Sequence, residues 1–177
     1  MTLLASTLDT PLGPFTAVVD GSALVAAGFD ADAEQMHRRL ASRRRMMPLR
    51  TAGQLGTITD ALRRYFDGEV AALDDIEVDQ PGGTFRTAAW KAMRAVPPGE
   101  TISYGQLADR AGSPGAGQAA GSACSQNRVA LVIPCHRIVR TGGALGGYYF
   151  GLDTKTWLLS HELRGRTAAS ESSGAAQ

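Results

Sequence analysis

The first thirty residues contain three short runs of strand-forming residues separated by turn sequences. The runs are Leu3 to Leu8, Phe15 to Val19 and Ala23 to Phe29, which are rich in apolar and β-branched side chains. Thr10-Pro11-Leu12-Gly13 separates the first two runs, and Asp20-Gly21-Ser22 separates the last two. Because short Gly- and Pro-containing segments join neighbouring antiparallel strands, the pattern predicts two β-hairpins in one small sheet.

Helical patterns replace the strand pattern after this region. Apolar residues recur at helical spacing over about 31–45 and 55–66, which predicts an αβ N-terminal domain with a small antiparallel sheet over residues 1–80. Residues 81–165 carry mostly helical patterns and predict a second domain, so the expected fold class is α+β. Residues 166–177 are small and polar, and we expect this tail to be disordered.

Length and composition favour a compact protein without a membrane segment. A chain of 177 residues with 44% hydrophobic content can bury one good core or two small ones. No stretch approaches the roughly 20 apolar residues of a membrane span, and the N-terminus lacks a basic region followed by an apolar block. We therefore expect a cytoplasmic protein with no membrane partner.

The charges are unevenly distributed, although the formal net charge is only +1. Six basic and two acidic residues lie between Arg128 and Arg166, whereas six acidic residues lie between positions 67 and 79. The basic region is suited to phosphate groups and the acidic region would be repelled by them. Ordinary solvated surface charge explains the same pattern equally well.

Two short helical patterns joined by a break form a helix-turn-helix outline. Ser103 to Arg110 has helical character, Gly112-Ser113-Pro114 interrupts it, and Gly115 to Ser125 can form a second helix. A further helix, capped by Thr84, is expected before this pair. The second helix is mostly Gly and Ala, so it can approach a partner closely but can read few base edges. Tight packing inside the protein would explain these small residues as well.

Cys135 and His136 stand side by side after Pro134, at the end of the apolar run from Val129 to Ile133. This run is typical of a strand, which would carry the thiol to the edge of a rigid element. A free thiol has a pKa of about 8.5 and only the thiolate attacks carbon, so a neighbouring imidazole is the base that a cysteine nucleophile needs. The alternative is a buried and chemically inert cysteine.

The remaining cysteine and histidines do not indicate a metal site. Cys124 falls among small residues on a predicted helix, where a packing role is expected. His37, His136 and His161 are widely separated, and the chain has no Cys-x-x-Cys pair. We expect both thiols to be reduced and no metal to be bound.

An ordered series of motifs runs through residues 84–164. In chain order they are Phe85, Trp90, Gly99–Tyr104, Gln106–Ala108, Ser122–Asn127, Pro134–Ile138, Gly142–Tyr148, Lys155 and Leu158–Glu162. This series resembles the O6-alkylguanine-DNA alkyltransferase family, and Thr10 to Pro14 resembles the start of the family's N-terminal domain. The Tyr149-Phe150 pair is most similar to the alkyltransferase domain of the bacterial adaptive-response protein.

The resemblance implies DNA repair by direct, stoichiometric transfer of an alkyl group to Cys135. The group would come from O6-alkylguanine, or from O4-alkylthymine, in a nucleotide flipped out of the duplex. His136 would take the thiol proton through an ordered water, and Glu162 would hold the imidazole. Tyr104 would donate a hydrogen bond to the leaving base, and Asn127 would brace the turn that carries the nucleophile. Each molecule would act once and need no cofactor, since a thioether is a poor leaving group.

The resemblance also implies that a monomer binds double-stranded DNA through the minor groove. In the family an arginine of the second helix fills the space that the flipped base leaves, and Gln118 stands at that position here. Backbone groups at Ile138 and Tyr149 would recognise the base edge, and Lys155 would add positive potential. The residues expected at the substrate or the DNA are Ala116, Gln118, Ala119, Arg128, Arg137, Ile138, Tyr148, Tyr149 and Lys155.

Two other functions remain open on the sequence. Gln118 lacks the charge and the planar fork of arginine, which leaves room for a protein of the same fold that uses a small-molecule alkyl donor. The other is a weakly active or non-catalytic protein that binds damaged DNA. The presence of Cys135, His136 and Glu162 together argues against a protein that has lost its chemistry.

Overall fold

The computed structural model describes residues 1–175. A four-stranded sheet in the N-terminal half consists of β1 (Leu3–Thr10), β2 (Gly13–Asp20), β3 (Ala23–Gly28) and β4 (Leu49–Thr51). The strand order is β3-β2-β1-β4, with antiparallel pairing among the first three strands and parallel pairing of β1 with β4. The two predicted hairpins are confirmed, whereas the three residues of β4 carry too little pattern to predict a strand.

Each hairpin turn contains residues suited to its backbone. In the first turn Thr10 Oγ1 donates to the carbonyl of Gly13 at 2.7 Å and accepts from the amide of Leu12 at 3.1 Å. In the second turn Gly21 has a φ of 63°, a conformation that strains any residue with a Cβ. These turns fix the strand register, and the fully buried Phe15 of β2 faces the core.

Three helices complete the N-terminal half: α1 (Ala33–Arg38), α2 (Ser42–Arg45) and α3 (Thr57–Phe66). The expectation of a single helix over about 31–45 is wrong, because the chain leaves the helical path between α1 and α2, where Leu40 turns into the core. The second expected helix corresponds to α3, whose buried face packs beneath the sheet.

The edge strand β3 is covered by backbone from two distant segments. Leu24 exchanges two main-chain hydrogen bonds with residues 77–79, and Ala27 exchanges two with residues 128–130, all at 2.8 to 3.0 Å. The first segment precedes the C-terminal half and the second leads into the Pro-Cys-His motif. The N-terminal sheet therefore holds the segment that approaches the candidate nucleophile.

The helix-turn-helix lies in the C-terminal half, after α4 (Thr84–Arg94) and the short strand β5 (Ile102–Ser103). It consists of α5 (Tyr104–Arg110) and α6 (Gly117–Ser125), as the sequence predicts. Ser103 caps α5, since its side chain accepts from the Gln106 amide while the Gln106 side chain accepts from the Ser103 amide. This capping box fixes where α5 begins and so places Tyr104.

The expected capping role of Thr84 is wrong. Thr84 is the first residue inside α4, Gly83 occupies the cap position, and no side chain caps this helix. A cap residue needs non-helical dihedrals, which Gly83 adopts and Thr84 does not. The helix is held instead by packing, because Ala89, Trp90 and Met93 are buried.

The apolar run from Val129 to Ile133 is not the expected strand. Val129 alone bridges to Ala27, and the chain then turns so that the Ile133 amide donates to the Val129 carbonyl at 2.9 Å. Leu131 has a φ of 74°, in the left-handed region. A 3-10 turn over Cys135–Arg137 and the strand β6 (Ile138–Val139), parallel to β5, follow. All five residues of the run are buried, so its apolar character reflects burial of a turn.

The last helix, α7 (Leu152–Ala175), extends into the segment that the sequence predicts to be disordered. Side chains from Arg166 to Ser172 are exposed, and Arg166 lies against the turn at Gly99 and pairs with Glu100 at 3.8 Å. Ala168 and Ala169 are strong helix formers, and helix extends readily from a turn that is already packed. Positions 176 and 177 of the expected tail lie outside the described residues.

One core joins the two halves of the chain. The same buried cluster contains Phe15, Leu24, Leu62, Met93, Leu131 and Leu158, which come from both sides of residue 80. A smaller cluster beneath α1 includes Leu3, Val18 and Met36. The division at residue 80 therefore stays a prediction. No helix within the described part of the chain is both long and apolar enough to cross a bilayer.

Candidate active site

Cys135 lines a cavity of about 220 Å³ in the C-terminal half. The walls come from the start of α5, the end of α6, the turn after it and the segment that precedes α7. The lining residues are Tyr104, Gly121, Cys124, Ser125, Asn127, Ala130, Cys135, Gly147, Tyr148, Tyr149 and Phe150. The cavity thus brings together five residues that the sequence singles out: Tyr104, Asn127, Cys135, Tyr148 and Tyr149.

Asn127 holds the turn that carries the thiol. Its Nδ2 donates to the Ile133 carbonyl at 2.9 Å, and its Oδ1 accepts from the Val129 amide at 3.0 Å. Oδ1 also accepts from Gln80 Nε2 at 3.1 Å. These bonds close the turn from the inside, which stabilises the left-handed conformation at Leu131.

The Cys135 thiol sits at the start of the 3-10 turn and is half-buried. Burial raises the pKa of this thiol, while a hydrogen bond from the Asn127 side chain and the positive charge of Lys155 act in the opposite direction. In the resting protein the thiol is therefore protonated, and a base is needed to form the nucleophilic thiolate.

His136 and Glu162 form a fully buried pair behind the cavity. His136 Nε2 lies 2.7 Å from Glu162 Oε1, and both side chains have no solvent exposure. Interactions with His136 and Arg137 hold the pKa of Glu162 well below its usual range, despite its burial. Because an ionised carboxylate can only accept, Nε2 carries a hydrogen, and in a neutral imidazole Nδ1 is then the nitrogen with the lone pair. Nδ1 is buried and has no hydrogen-bond partner among the described residues.

Arg137, which the sequence places among the residues at the substrate or the DNA, is buried rather than on the surface. Its Nε and Nη2 donate to the two oxygens of Glu162, each at 2.9 Å, and its Nη1 donates to the Val96 carbonyl at 2.6 Å. All three donor groups are directed inward, and only 4% of the residue is exposed. This bidentate geometry stabilises a buried carboxylate, and each of the three guanidinium nitrogens has a partner inside the protein.

Lys155 is also buried, and its ammonium group binds backbone carbonyls. Nζ donates to Ile138 O at 2.7 Å, to Gly147 O at 3.1 Å and to Leu145 O. Burial lowers the pKa of Lys155, and three carbonyl partners satisfy its three donors. Lys155 therefore joins β6 to the wall of the cavity, and it also occupies one lone pair of the Ile138 carbonyl that the sequence assigns to base recognition.

Tyr104 projects from the first residue of α5 into the cavity. Burial, together with the neighbouring Cys124 and Cys135, raises the pKa of its hydroxyl, which therefore stays a hydrogen-bond donor at neutral pH. Gly146 has a φ of 70°, and a Cβ at this position would lie 2.8 Å from the Tyr104 hydroxyl. The glycine thus leaves the space in which that hydroxyl lies.

Tyr148 carries the other buried polar atom without a partner in the described part of the chain, its hydroxyl. Its ring lies edge-on to His136, with ring centres 6.4 Å apart. Buried polar groups are normally satisfied by protein or by ordered water. The Tyr148 hydroxyl and His136 Nδ1 are therefore two polar groups near the thiol that suit a bridging water.

Tyr149 and Phe150 form the roof of the cavity and contact the N-terminal half. A Cβ on Gly28 would lie 2.8 Å from the Phe150 ring. This ring also packs edge-on against Phe29, with ring centres 5.5 Å apart. Tyr149 is 66% exposed, and the Arg39 guanidinium lies 4.6 Å from its ring centre. The Arg39 side chain also donates to the Tyr149 hydroxyl. The roof is therefore attached to strands and helices far away in sequence.

An open groove adjoins the cavity on the side of α6. Gln118 and Arg140 line this groove, and Tyr104, Gly121 and Gly147 line both the groove and the cavity. The structure therefore places Gln118 next to the entrance of the site.

The other residues expected at the DNA lie in different surroundings. Ala119 is exposed, whereas Ala116 is partly buried and packs on the core. Arg128 is exposed overall, and partial desolvation of its guanidinium together with the positive charges of Arg39, Arg86 and Arg45 lowers its pKa. Arg128 and Arg39 line one pocket together with Tyr149 and Phe150 of the roof.

The second cysteine, for which the sequence predicts a packing role, packs on the core and also lines the cavity. Cys124 lines the cavity wall, and burial raises the pKa of its thiol strongly. The described residues contain no cluster of three or more His, Cys, Asp or Glu side chains suited to a metal ion.

Two contacts of the site have no signal in the sequence. Tyr65 donates its hydroxyl to Glu162 Oε1 at 2.8 Å, and Arg39 binds Tyr149. Tyr65 and Glu162 are separated by 97 positions. Only the fold brings such residues together, so local spacing cannot reveal them.

Comparison with known families identifies the two halves of the chain. The family model of the 6-O-methylguanine DNA methyltransferase DNA binding domain matches residues 84–164, and that of the ribonuclease-like domain of the same proteins matches residues 3–80. The fold, with a half-buried thiol next to a fully buried His-Glu pair, is that of an alkyl-acceptor protein of this kind. The chain therefore belongs to the 6-O-methylguanine DNA methyltransferase family.

Individual relatives agree with this assignment. The methylated-DNA--protein-cysteine methyltransferase of Shigella flexneri is 35% identical over 167 residues, which cover 90% of this chain and 95% of the relative. The protein of the same name from Mycobacterium tuberculosis is 38% identical over 156 residues, covering 88% and 90%. The crystal structure of Mycobacterium tuberculosis OGT in complex with DNA is 34% identical, covers 92% of this chain and 94% of that one, and superposes with a TM-score of 0.76.

Proposed function

We propose that this protein repairs DNA by transferring an alkyl group from O6-alkylguanine directly to Cys135. The observation that carries the proposal is a half-buried thiol in a cavity, with the fully buried His136 and Glu162 pair behind it. The family membership supports the reaction, as do relatives named methylated-DNA--protein-cysteine methyltransferase. These relatives do not favour the alternative of a small-molecule alkyl donor.

The proton of the thiol passes through one water to Nδ1 of His136. The Cys135 sulfur then forms a bond to the alkyl carbon as the bond between that carbon and O6 of the base breaks. Glu162 stabilises the imidazolium that results, and Tyr104 donates a hydrogen bond to the base as negative charge develops on it. The unpartnered Nδ1 of His136 and the raised pKa of the Tyr104 hydroxyl support these two assignments.

The base reaches the thiol from the groove beside α6. A base inside a duplex is inaccessible, so the nucleotide must leave the stack. The small side chains of Ala119 and Gly121 permit close approach of α6, which suits the minor groove, and Gln118 fills the space that the base leaves. One monomer contains every residue that this reaction needs.

Each molecule acts once, because no group in the cavity can displace the alkyl group from a thioether. We also infer a reducing compartment, the cytoplasm, since an oxidised Cys135 could not react. Both free thiols of the structure are consistent with that environment.

Mass spectrometry of the protein after incubation with a duplex that contains O6-methylguanine tests the proposal. The Cys135 peptide should gain one methyl group, Cys124→Ser should gain it too, and Cys135→Ser should not. A methyl group on Cys124, or repair of the duplex by Cys135→Ser, would overturn the assignment.

A further inference from the structure

Tyr65, a residue of the N-terminal half, reaches the buried carboxylate of the proposed site. It lies on α3, has no solvent exposure and donates its hydroxyl to Glu162 Oε1 at 2.8 Å. Burial and the charge of Glu162 raise the pKa of Tyr65 well above its ordinary value, so the hydroxyl stays a donor. The contact therefore does not change with pH in the neutral range.

The two ends of Tyr65 are fixed by consecutive residues of α7. Its hydroxyl binds Glu162, and its backbone carbonyl accepts from His161 Nε2 at 2.7 Å. The Tyr65 and His161 rings also pack edge-on, with centres 5.2 Å apart. This arrangement leaves the hydroxyl little freedom to leave the carboxylate.

Oε1 of Glu162 accepts from three donors at once. They are Tyr65 Oη at 2.8 Å, His136 Nε2 at 2.7 Å and Arg137 Nη2 at 2.9 Å. The hydroxyl therefore competes with the imidazole for the same oxygen. A carboxylate that already accepts other bonds attracts the Nε2 hydrogen less, and so it promotes the imidazolium less strongly.

We propose that Tyr65 is a positioning residue for the reaction, holding Oε1 of Glu162 against His136 so that the imidazole stays neutral with Nδ1 free. The inference rests on the proposed function of the site. A neutral imidazole is the form that accepts the thiol proton, whereas an imidazolium cannot. Tyr65 thus favours the reactive form before the base arrives.

The ionisable groups that face His136 come from four elements. Glu162 on α7 and Tyr148 on the roof segment contact the imidazole, Tyr65 on α3 and Arg137 on the 3-10 turn reach it through Glu162, and Cys135 is its neighbour in the chain. Asp74 lies farther away, where Arg137 and Glu162 influence its pKa. Removing the Tyr65 hydroxyl leaves the number of charges unchanged. The substitution Tyr65→Phe therefore isolates one neutral hydrogen bond.

The test measures the rate of methyl transfer to Cys135 from pH 5 to 9 in Tyr65→Phe. The acid limb of the pH–rate profile should move to higher pH by about half a unit. At pH values below the midpoints of both proteins, the variant should therefore react roughly threefold more slowly than the wild type. Phe66→Leu is the matched control, since Phe66 lies on the same helix and packs on Trp157 and His161, and its side chain has no group that can donate a hydrogen bond to Glu162. The control should lose stability without a shift of the profile.

A second readout needs no DNA and no reaction. The titration of His136, followed by NMR of its ring nitrogens, should move to higher pH in Tyr65→Phe and stay unchanged in Phe66→Leu. No shift in Tyr65→Phe, or an equal shift in both variants, would overturn the role of Tyr65. Wild-type protein that accepts no methyl group would instead overturn the proposed function, and the NMR titration would still decide the question about Tyr65.

Discussion

Replacing Arg137 distinguishes two possible roles for this residue: a structural role inside the protein, and the contact with DNA that the sequence suggests. Arg137→Met keeps a similar side-chain length but removes three donors, two of which bind Glu162. Removing one partner of a buried ion pair costs about 3–5 kcal/mol of unfolding free energy, because the other charge loses its compensation. For a chain of this size that corresponds to a fall in Tm of roughly 6–20 °C.

Thermal unfolding at pH 7, followed by circular dichroism, measures this change. DNA affinity measured over a range of salt concentrations, at a temperature where the variant is folded, gives the second result. A phosphate contact contributes about one unit to the salt slope, so Arg137→Met should leave that slope unchanged. Arg140→Met is the control: Arg140 is exposed and lines the open groove, so its loss should reduce the slope with little change in Tm.

One pair of results would refute this reasoning. If Arg137→Met unfolds within about 2 °C of the wild type and also lowers the salt slope, then Arg137 contacts DNA and its burial against Glu162 has no energetic importance.

Three further predictions concern the groove, the cavity and the buried carboxylate. Gln118→Arg should speed repair of duplex DNA several-fold without changing the rate of reaction with a free alkylated base. Equal rates for the variant and the wild type on duplex DNA would contradict this prediction. Gly146→Ala should slow methyl transfer roughly tenfold or more by displacing the Tyr104 hydroxyl, whereas Gly53→Ala, which meets no atom within 4 Å, should not. The fold lowers the pKa of Glu162 from its ordinary value of 4.5. The carboxylate therefore stabilises the folded state at pH values above 4.5, and this stabilisation is lost as the pH falls further. Urea unfolding from pH 7 to pH 3 should show that loss, and Glu162→Gln should reduce it.

The sequence predicts those parts of the fold that depend on local pattern. The hairpins are visible because turn residues such as Gly21 separate apolar runs, and the helix-turn-helix is visible because Gly112-Ser113-Pro114 interrupts two helical patterns. The break between α1 and α2 is not visible, since Arg and Ala residues are good helix formers on either side of Leu40. Tertiary burial of Leu40 decides that break.

The site is predictable only as far as its motifs extend. Neighbouring residues such as Cys135 and His136 suggest a nucleophile and a base, and the resemblance adds Glu162. The pattern fails for Arg137, because a cation beside a motif looks the same whether it faces solvent or a buried carboxylate. The apolar run before Cys135 is similarly ambiguous, since a buried turn and a buried strand share the same composition.

The covering of β3 has a consequence for how the protein behaves in solution. An open strand edge offers free amides and carbonyls to any other chain, which is a common route to aggregation. In this protein the backbone groups of Leu24 and Ala27 form hydrogen bonds with residues 77–79 and 128–130 of the same molecule. The segment that positions the reactive thiol therefore also shields this edge of the sheet from intermolecular pairing, so damage to that segment would endanger solubility as well as chemistry.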